Sequence, residues 1–107
     1  MADVNVNVPG QGLTPFAFEQ LTVSTTLVNF TTATWQPSGE APAKAALVQV
    51  ESQPCRYRGD GTAPAAAVGH LLAATDTIVI PSSEACALAG FIRSGGSDAT
   101  LNVTFYR

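Results

Sequence analysis

Strict alternation of apolar and polar residues marks the start of the chain. In residues 3–8, "DVNVNV", Val4, Val6 and Val8 fall on one side and Asp3, Asn5 and Asn7 on the other. This is the period-two signature of a β-strand with a single apolar face. Residues 9–12, "PGQG", interrupt it with Pro9, Gly10 and Gly12, residues that punctuate regular structure. The chain therefore divides into an extended N-terminal arm and hinge, residues 1–12, and a body, residues 13–107. An arm with a one-sided apolar strip needs a sheet to pair with, and β-augmentation onto a neighbouring subunit would supply one. The plain alternative is a frayed terminus.

The body continues the pattern in short pieces. In "EQLTVSTT", Leu21 and Val23 alternate with Gln20, Thr22 and Ser24, and the stretch to Trp35 is rich in Thr, Val, Phe and Leu, all strand formers. "TLVNFTTATW" is less regular and predicts a bend or bulge before Trp35. "QPSGEAPAK" is a loop, and "AALVQVES" a strand with Val48 and Val50 opposite Gln49 and Glu51. Cys55 and Tyr57 share one face of the next strand, and Arg56 and Arg58 the other. "GDGT" is turn chemistry. "AAAVGHLLAA" is the one stretch that could form a short helix, although Gly69 interrupts it and a strand or loop fits equally. "DTIVIP", "CALAGFIR" with Gly90 inside it, and "ATLNVTFYR" read as further strands.

Roughly seven or eight short strands, separated by turn signals about every 8–12 residues, predict an all-β fold. The expected architecture is a single-domain antiparallel β-sandwich, jelly-roll-like, or a small barrel. The expected core comprises Leu21, Val23, Val48, Val50, Ile78, Ile80, Leu101, Val103 and Phe105.

Composition narrows the function. The chain has 107 residues, enough for one domain with one core. Only 12% of them are charged, about half the usual ~25%. A surface poor in Lys, Glu and Asp suits burial against other protein, although an uncharged β-domain would look the same. The net charge is −3 with five basic residues in all, which makes nucleic-acid binding and polybasic membrane attachment unexpected. The start lacks the charge and apolar run of a signal peptide, and no segment has the length of a membrane span. The expectation is a protein made and left in a cytosol.

Candidate chemistry is sparse. Cys55 and Cys86 read as small buried hydrophobes in a reducing compartment, with a bridge the lesser alternative. His70 is the single histidine and has neither a C-x-x-C pair nor an obvious partner, so no metal site is expected. Nucleophilic catalysis needs a base in reach of a nucleophile, and the carboxylates Glu51, Asp60, Asp76 and Glu84 are scattered. The expectation is no enzyme, no catalytic residue, no cofactor and no small-molecule substrate. The sequons at Asn29 and Asn102 are chance matches without secretion.

The run "ALVQVESQPCRYRGDGTAPAAAVGHLLAATDTIVI" together with "ATLNVTFYR" resembles a family of small structural proteins from tailed-phage and prophage virions. The likeness spans residues 45–107. Its specific part is the block Arg56, Arg58, Asp60, Gly61, Thr62 and Pro64. Such sequences often place a Thr after the proline, where Ala65 stands here. The resemblance implies a virion protein made in the host cytoplasm, foremost a capsid decoration, or cement, protein. It would bind the outer surface of the major capsid protein shell and neighbouring copies of itself, as a dimer or trimer. A tail or head–tail connector component is the alternative. A receptor- or glycan-binding module, with exposed Trp35, Tyr57 and Tyr106 stacking on sugars, is a third reading. The residues expected at protein interfaces are Val4, Val6, Val8, Arg56, Arg58 and Asp60.

Arg58-Gly59-Asp60 is also the tripeptide of cell-adhesion ligands. In the block above, Asp60-Gly61 belongs to a turn, and that is the reading adopted. Adhesion would require an exposed loop tip and a eukaryotic receptor.

Overall fold

A computed structural model describes residues 13–107. The arm strip of Val4, Val6 and Val8 lies outside the described residues. Among the described residues, eight strands form two antiparallel four-stranded sheets. In chain order they are β1 (Pro15–Val23), β2 (Val28–Asn29), β3 (Ala45–Glu51), β4 (Cys55–Arg58), β5 (His70–Leu72), β6 (Thr77–Ile80), β7 (Gly90–Arg93) and β8 (Ala99–Tyr106). One sheet runs β1-β8-β3-β6, the other β2-β7-β4-β5.

Strand pairing explains the layout. β1 pairs with β8, β2 with β7, β3 with β6 and β4 with β5. The chain is thus one long nested hairpin, wound so that its pairs fall alternately into the two layers. The pairs β3–β8 and β4–β7 then close each sheet. This is the jelly-roll solution to a sandwich, and the small-barrel alternative is not taken.

β8 shows why the layers hold. Ala99, Leu101, Val103 and Phe105 are fully buried and alternate with Thr100, Asn102, Thr104 and Tyr106 on the outer side. Across from them, Val48 faces Val103, Val50 faces Leu101 and Leu21 faces Leu101 on the other flank. Burying each such aliphatic side chain contributes about 1.5–3 kcal/mol. Between the layers, Phe30 packs edge-on against Phe105 at 5.2 Å and tilts against Phe91 at 5.7 Å. Of the expected core, Val23, Val48, Val50, Ile80, Leu101, Val103 and Phe105 are buried, whereas Leu21 and Ile78 are only partly so. Phe30, Trp35, Leu72, Phe91, both cysteines and several alanines join them in the core.

Two short helices depart from the expected strands. α1 (Thr32–Trp35) takes the place of the expected bend and carries Trp35 into the core. The Trp35 carbonyl then accepts from Ala43 N–H at 2.7 Å, which ties the following loop down. α2 (Ser83–Leu88) takes the first three residues of "CALAGFIR", so that strand β7 begins only at Gly90. Its start is fixed by Ser82, whose side chain accepts from Ala85 N–H at 3.1 Å, a cap that favours helix over strand. The helix faces Cys86 inward. "AAAVGHLLAA" forms no helix. It is a loop leading into β5.

Candidate interaction surfaces

The loop from β4 to β5 holds the "RGDGTAP" block. Arg58, the last residue of β4, clamps Asp60 two residues on. Its Nε donates to Oδ1 at 3.1 Å and its Nη2 to Oδ2 at 2.5 Å. Asp60 Oδ1 also accepts from Thr62 N–H at 3.1 Å, a side-chain turn that needs no other cap. These bonds, Arg58 first and Thr62 second, hold the Asp60 carboxyl below the usual carboxylate range. Gly61 follows at φ +85°, where a glycine is favoured. A Cβ on Gly59 would overlap the Tyr57 hydroxyl.

The rest of the block is also structural. Pro64 is buried. Gly69 sits at φ +130°, and a Cβ there would lie 3.1 Å from the Tyr57 carbonyl and 3.2 Å from Pro64. Ala65 and Val68 exchange backbone hydrogen bonds at 2.9 and 3.0 Å. The turn after Pro64 is therefore closed by main chain alone. Arg56 stitches the loop back onto β4, with Nε donating to Ala66 O at 3.2 Å and Nη1 to Gly69 O at 3.1 Å.

The arginines expected to reach out to a partner are thus engaged within their own chain. Arg93 pairs with Asp98 at 2.6 Å, and Arg107 with Glu40 at 2.8 Å. Arg107 also donates to Ala41 O at 3.0 Å and lies over the Phe16 ring at 4.1 Å.

Beside the loop is an open groove of about 680 Å³, lined by Tyr57, Arg58, Gly59, Asp60, Val68, Gly69 and His70. Its charged pair is satisfied internally. His70 is exposed, with its ring 6.2 Å from that of Tyr57. Tyr57 in turn stacks at 5.2 Å on the buried Phe91. The three aromatics considered for sugar stacking do not form one platform. Trp35 is in the core, Tyr57 is wedged between Phe91 and His70, and Tyr106 lies half-buried on the outer side of β8. Among the described residues, no group of three or more His, Cys, Asp or Glu side chains could hold a metal, and no helix is long and apolar enough to cross a membrane. Cys55 and Cys86 are free and buried, and burial pushes both thiols up to about 11.

The second surface is the outer face of the sheet β1-β8-β3-β6. Register places Phe18 opposite Thr104, Thr104 opposite Leu47 and Leu47 opposite Val79. This row crosses all four strands. Phe18 is 60% exposed, the most of the large apolar side chains among the described residues. The next row is Gln20, Asn102, Gln49 and Thr77. Gln20 Nε2 donates to Asn102 Oδ1 at 2.8 Å, and Asn102 Nδ2 to Glu51 Oε1 at 2.7 Å. A depression of about 220 Å³ lies over both rows, lined by Phe18, Leu47, Gln49, Thr77, Asn102 and Thr104. The sequence signalled this face through the polar half of each alternating strand. Its apolar row, however, depends on register between distant strands.

No protein-family model matches the chain, and no curated protein or solved structure matches it either. Function is therefore argued from the chain's own residues.

Proposed function

We propose that this protein is a structural component of a tailed-phage virion, foremost a capsid decoration protein that binds the outside of the major capsid shell and reinforces it. The observation that carries this reading is the outer face of β1-β8-β3-β6. It is a four-stranded surface of amides, threonines and the apolar row Phe18, Leu47 and Val79, with Glu51 as its one charged residue. Such a face suits a broad protein–protein contact, whose centre excludes charge. The internal engagement of Arg56, Arg58, Arg93 and Arg107 speaks against a phosphate-directed role. Jelly rolls recur in viral capsid proteins and in lectins.

The arm valines Val4, Val6 and Val8 are assigned to contacts with capsid subunits or neighbouring copies. The deciding experiment is quantification of the protein on purified virions. Hundreds of copies per particle, removable together with a loss of heat resistance, support the decoration role. A few copies at one vertex or on the tail would shift the assignment to a connector or tail component. Absence from particles would end it.

A further inference from the structure

A β-sandwich exposes four sheet edges, and an unprotected edge pairs with other chains unless something blunts it. Three of the edges here carry such a device. β1 begins at Pro15, has a register shift between Pro15 and Ala17, and bears Glu19, whose Oε2 accepts from Thr31 N–H at 3.0 Å and so draws the α1 turn alongside it. β2 is only two residues long. β5 is three residues long and follows the loop that Arg56 pins. β6 is different. Thr77–Ile80 reads "TIVI", with no charge, proline or glycine, and its register with β3 is unbroken.

The direction of its free backbone groups can be read from one bond. Val50 N–H donates to Asp76 O at 2.9 Å, so Asp76 faces β3. Backbone groups alternate sides along an antiparallel strand. Ile78 and Ile80 therefore also address β3, while Thr77 and Val79 direct their N–H and C=O out of the open edge.

We propose that β6 pairs with β6 of a second copy, antiparallel, across a twofold axis at Val79. In that register Val79 meets its own counterpart and exchanges two main-chain bonds with it. Ile78 meets the partner's Ile80 on the inner side. Directly opposed residues share a face, so the rows stay matched. Val79 and Ile78 are half-buried now and become covered. The apolar row Phe18–Thr104–Leu47–Val79 continues unbroken into its mate. Pairing ends where Pro81 lacks an N–H. The nearest charge, Asp76, lies opposite the partner's Ser82, and the two copies of Asp76 stand roughly 20 Å apart along the strands at ~3.4 Å per residue. That exceeds the screening length of about 8 Å at physiological salt. A twofold contact between identical patches is the commonest way for a chain to assemble with itself. The inference rests on strand chemistry and stands whether or not the protein decorates a capsid.

The test uses the full chain. Sedimentation should give a concentration-dependent dimer. Val79→Lys, which puts a charge at the axis, and Val79→Pro, which removes an outward N–H that β3 does not use, should both sediment as monomers with unchanged circular dichroism. Val79→Cys should be joined to its counterpart by a short thiol cross-linker roughly tenfold faster than Leu71→Cys on the β5 edge, since paired Cα atoms lie about 5.5 Å apart. The native Cys55 and Cys86 are buried and should not contribute. If Val79→Pro fails to fold, the Lys and Cys variants still decide. A monomer at every concentration, or a dimer that survives Val79→Lys, overturns the proposal. So does equal cross-linking at Leu71. Preferential cross-linking of Val79→Cys to a cysteine placed at Val6 would show that the arm occupies this edge instead, and would overturn it too.

Discussion

Arg58 grips Asp60 across the single residue that separates them, with both guanidinium prongs on both carboxylate oxygens. An adhesive Arg-Gly-Asp loop must offer those two side chains to separate sites on a receptor. Here they are turned on each other, and Asp60 also caps Thr62. Asp60→Glu should therefore leave binding to integrin-bearing cells at the level of a blank surface, as should the parent protein. Adhesion that is present in the parent and lost in the variant would reverse this reading.

The same pair gives the loop a pH dependence. The folded-state pKa of Asp60 is lowered by Arg58 and then by Thr62. The loop's stabilisation is therefore fully present above the unfolded carboxylate value of ~3.9. It is lost as pH falls through the lower folded value. Amide exchange at Thr62 should accelerate in that acid window, beyond the intrinsic pH trend. Asp60→Asn should abolish the window while leaving the sandwich folded.

Val103 lies near the middle of β8, one of the two inner strands of its sheet, and is fully buried. Val103→Ala should cost ~1–3 kcal/mol in urea unfolding, and Phe30→Ala, which removes the bridge between Phe91 and Phe105, ~3–5 kcal/mol. Ile78→Val at the open lip of β6 should cost less than either. The alternation of β8 and β3 makes such positions legible from sequence, because a period of two admits only two faces and the apolar one must turn inward. Phe30 and Trp35 are less legible. They sit where the alternation fails, and only the tertiary fold brings the end of a four-residue helix and the residue after a two-residue strand into the core. α2 was in fact signalled, by Ser82 followed by Ser83 and Glu84 after Pro81, but the apolar run that follows masked the cap. The sites divide likewise. The turn role of Asp60 follows from local chemistry, whereas the apolar row of Phe18, Leu47 and Val79 depends on pairings between strands far apart in the chain.

Backbone conformation supplies a matched pair of tests. Gly69 sits at φ +130°, with the Tyr57 carbonyl only 3.1 Å from where a Cβ would stand, so Gly69→Ala should destabilise by ~1–3 kcal/mol. Thr75 is β-branched and yet sits at φ +76°, held there as its N–H donates to Val50 O at 2.7 Å. Left-handed backbone costs a residue with a Cβ ~1–2 kcal/mol. Thr75→Gly relieves that strain and adds unfolded-state entropy in return. The net effect in thermal unfolding should lie between neutral and stabilising, opposite in sign to Gly69→Ala.

The buried thiols offer a chemical probe of the core. With pKa values near 11 for Cys55 and Cys86, the thiolate fraction at pH 8 is on the order of one in a thousand, against roughly a quarter for a free thiol. Alkylation should be at least ~100-fold slower in the folded protein than in urea. The raised values also mean that folding holds these protons more tightly than the unfolded chain does. Stability should therefore be intact below the unfolded thiol value of ~8.5 and decline as pH rises from there towards 11. Mutating both cysteines to Ala should flatten the thiol part of that decline. A rapid native reaction with both thiols would mean that the core opens far more readily than its packing implies.

The last prediction concerns the arm. The body is closed at its start by Thr14 and Arg107, which exchange backbone bonds at 3.0 Å each. Burial of each arm valine is worth roughly 1.5–3 kcal/mol, and fixing each residue's backbone costs ~1–2 kcal/mol. Three valines against eight ordered residues leave little or nothing over, so the strip gains net stability only where main-chain pairing with a partner is added. Deleting residues 2–9 should therefore leave the unfolding midpoint of the isolated body unchanged. If the capsid assignment is correct, the truncated protein should load particles at reduced occupancy, and those particles should lose heat resistance in proportion. Full occupancy with unaltered particle stability would remove Val4, Val6 and Val8 from the interface. A body that no longer folds would show instead that the arm is part of the sandwich.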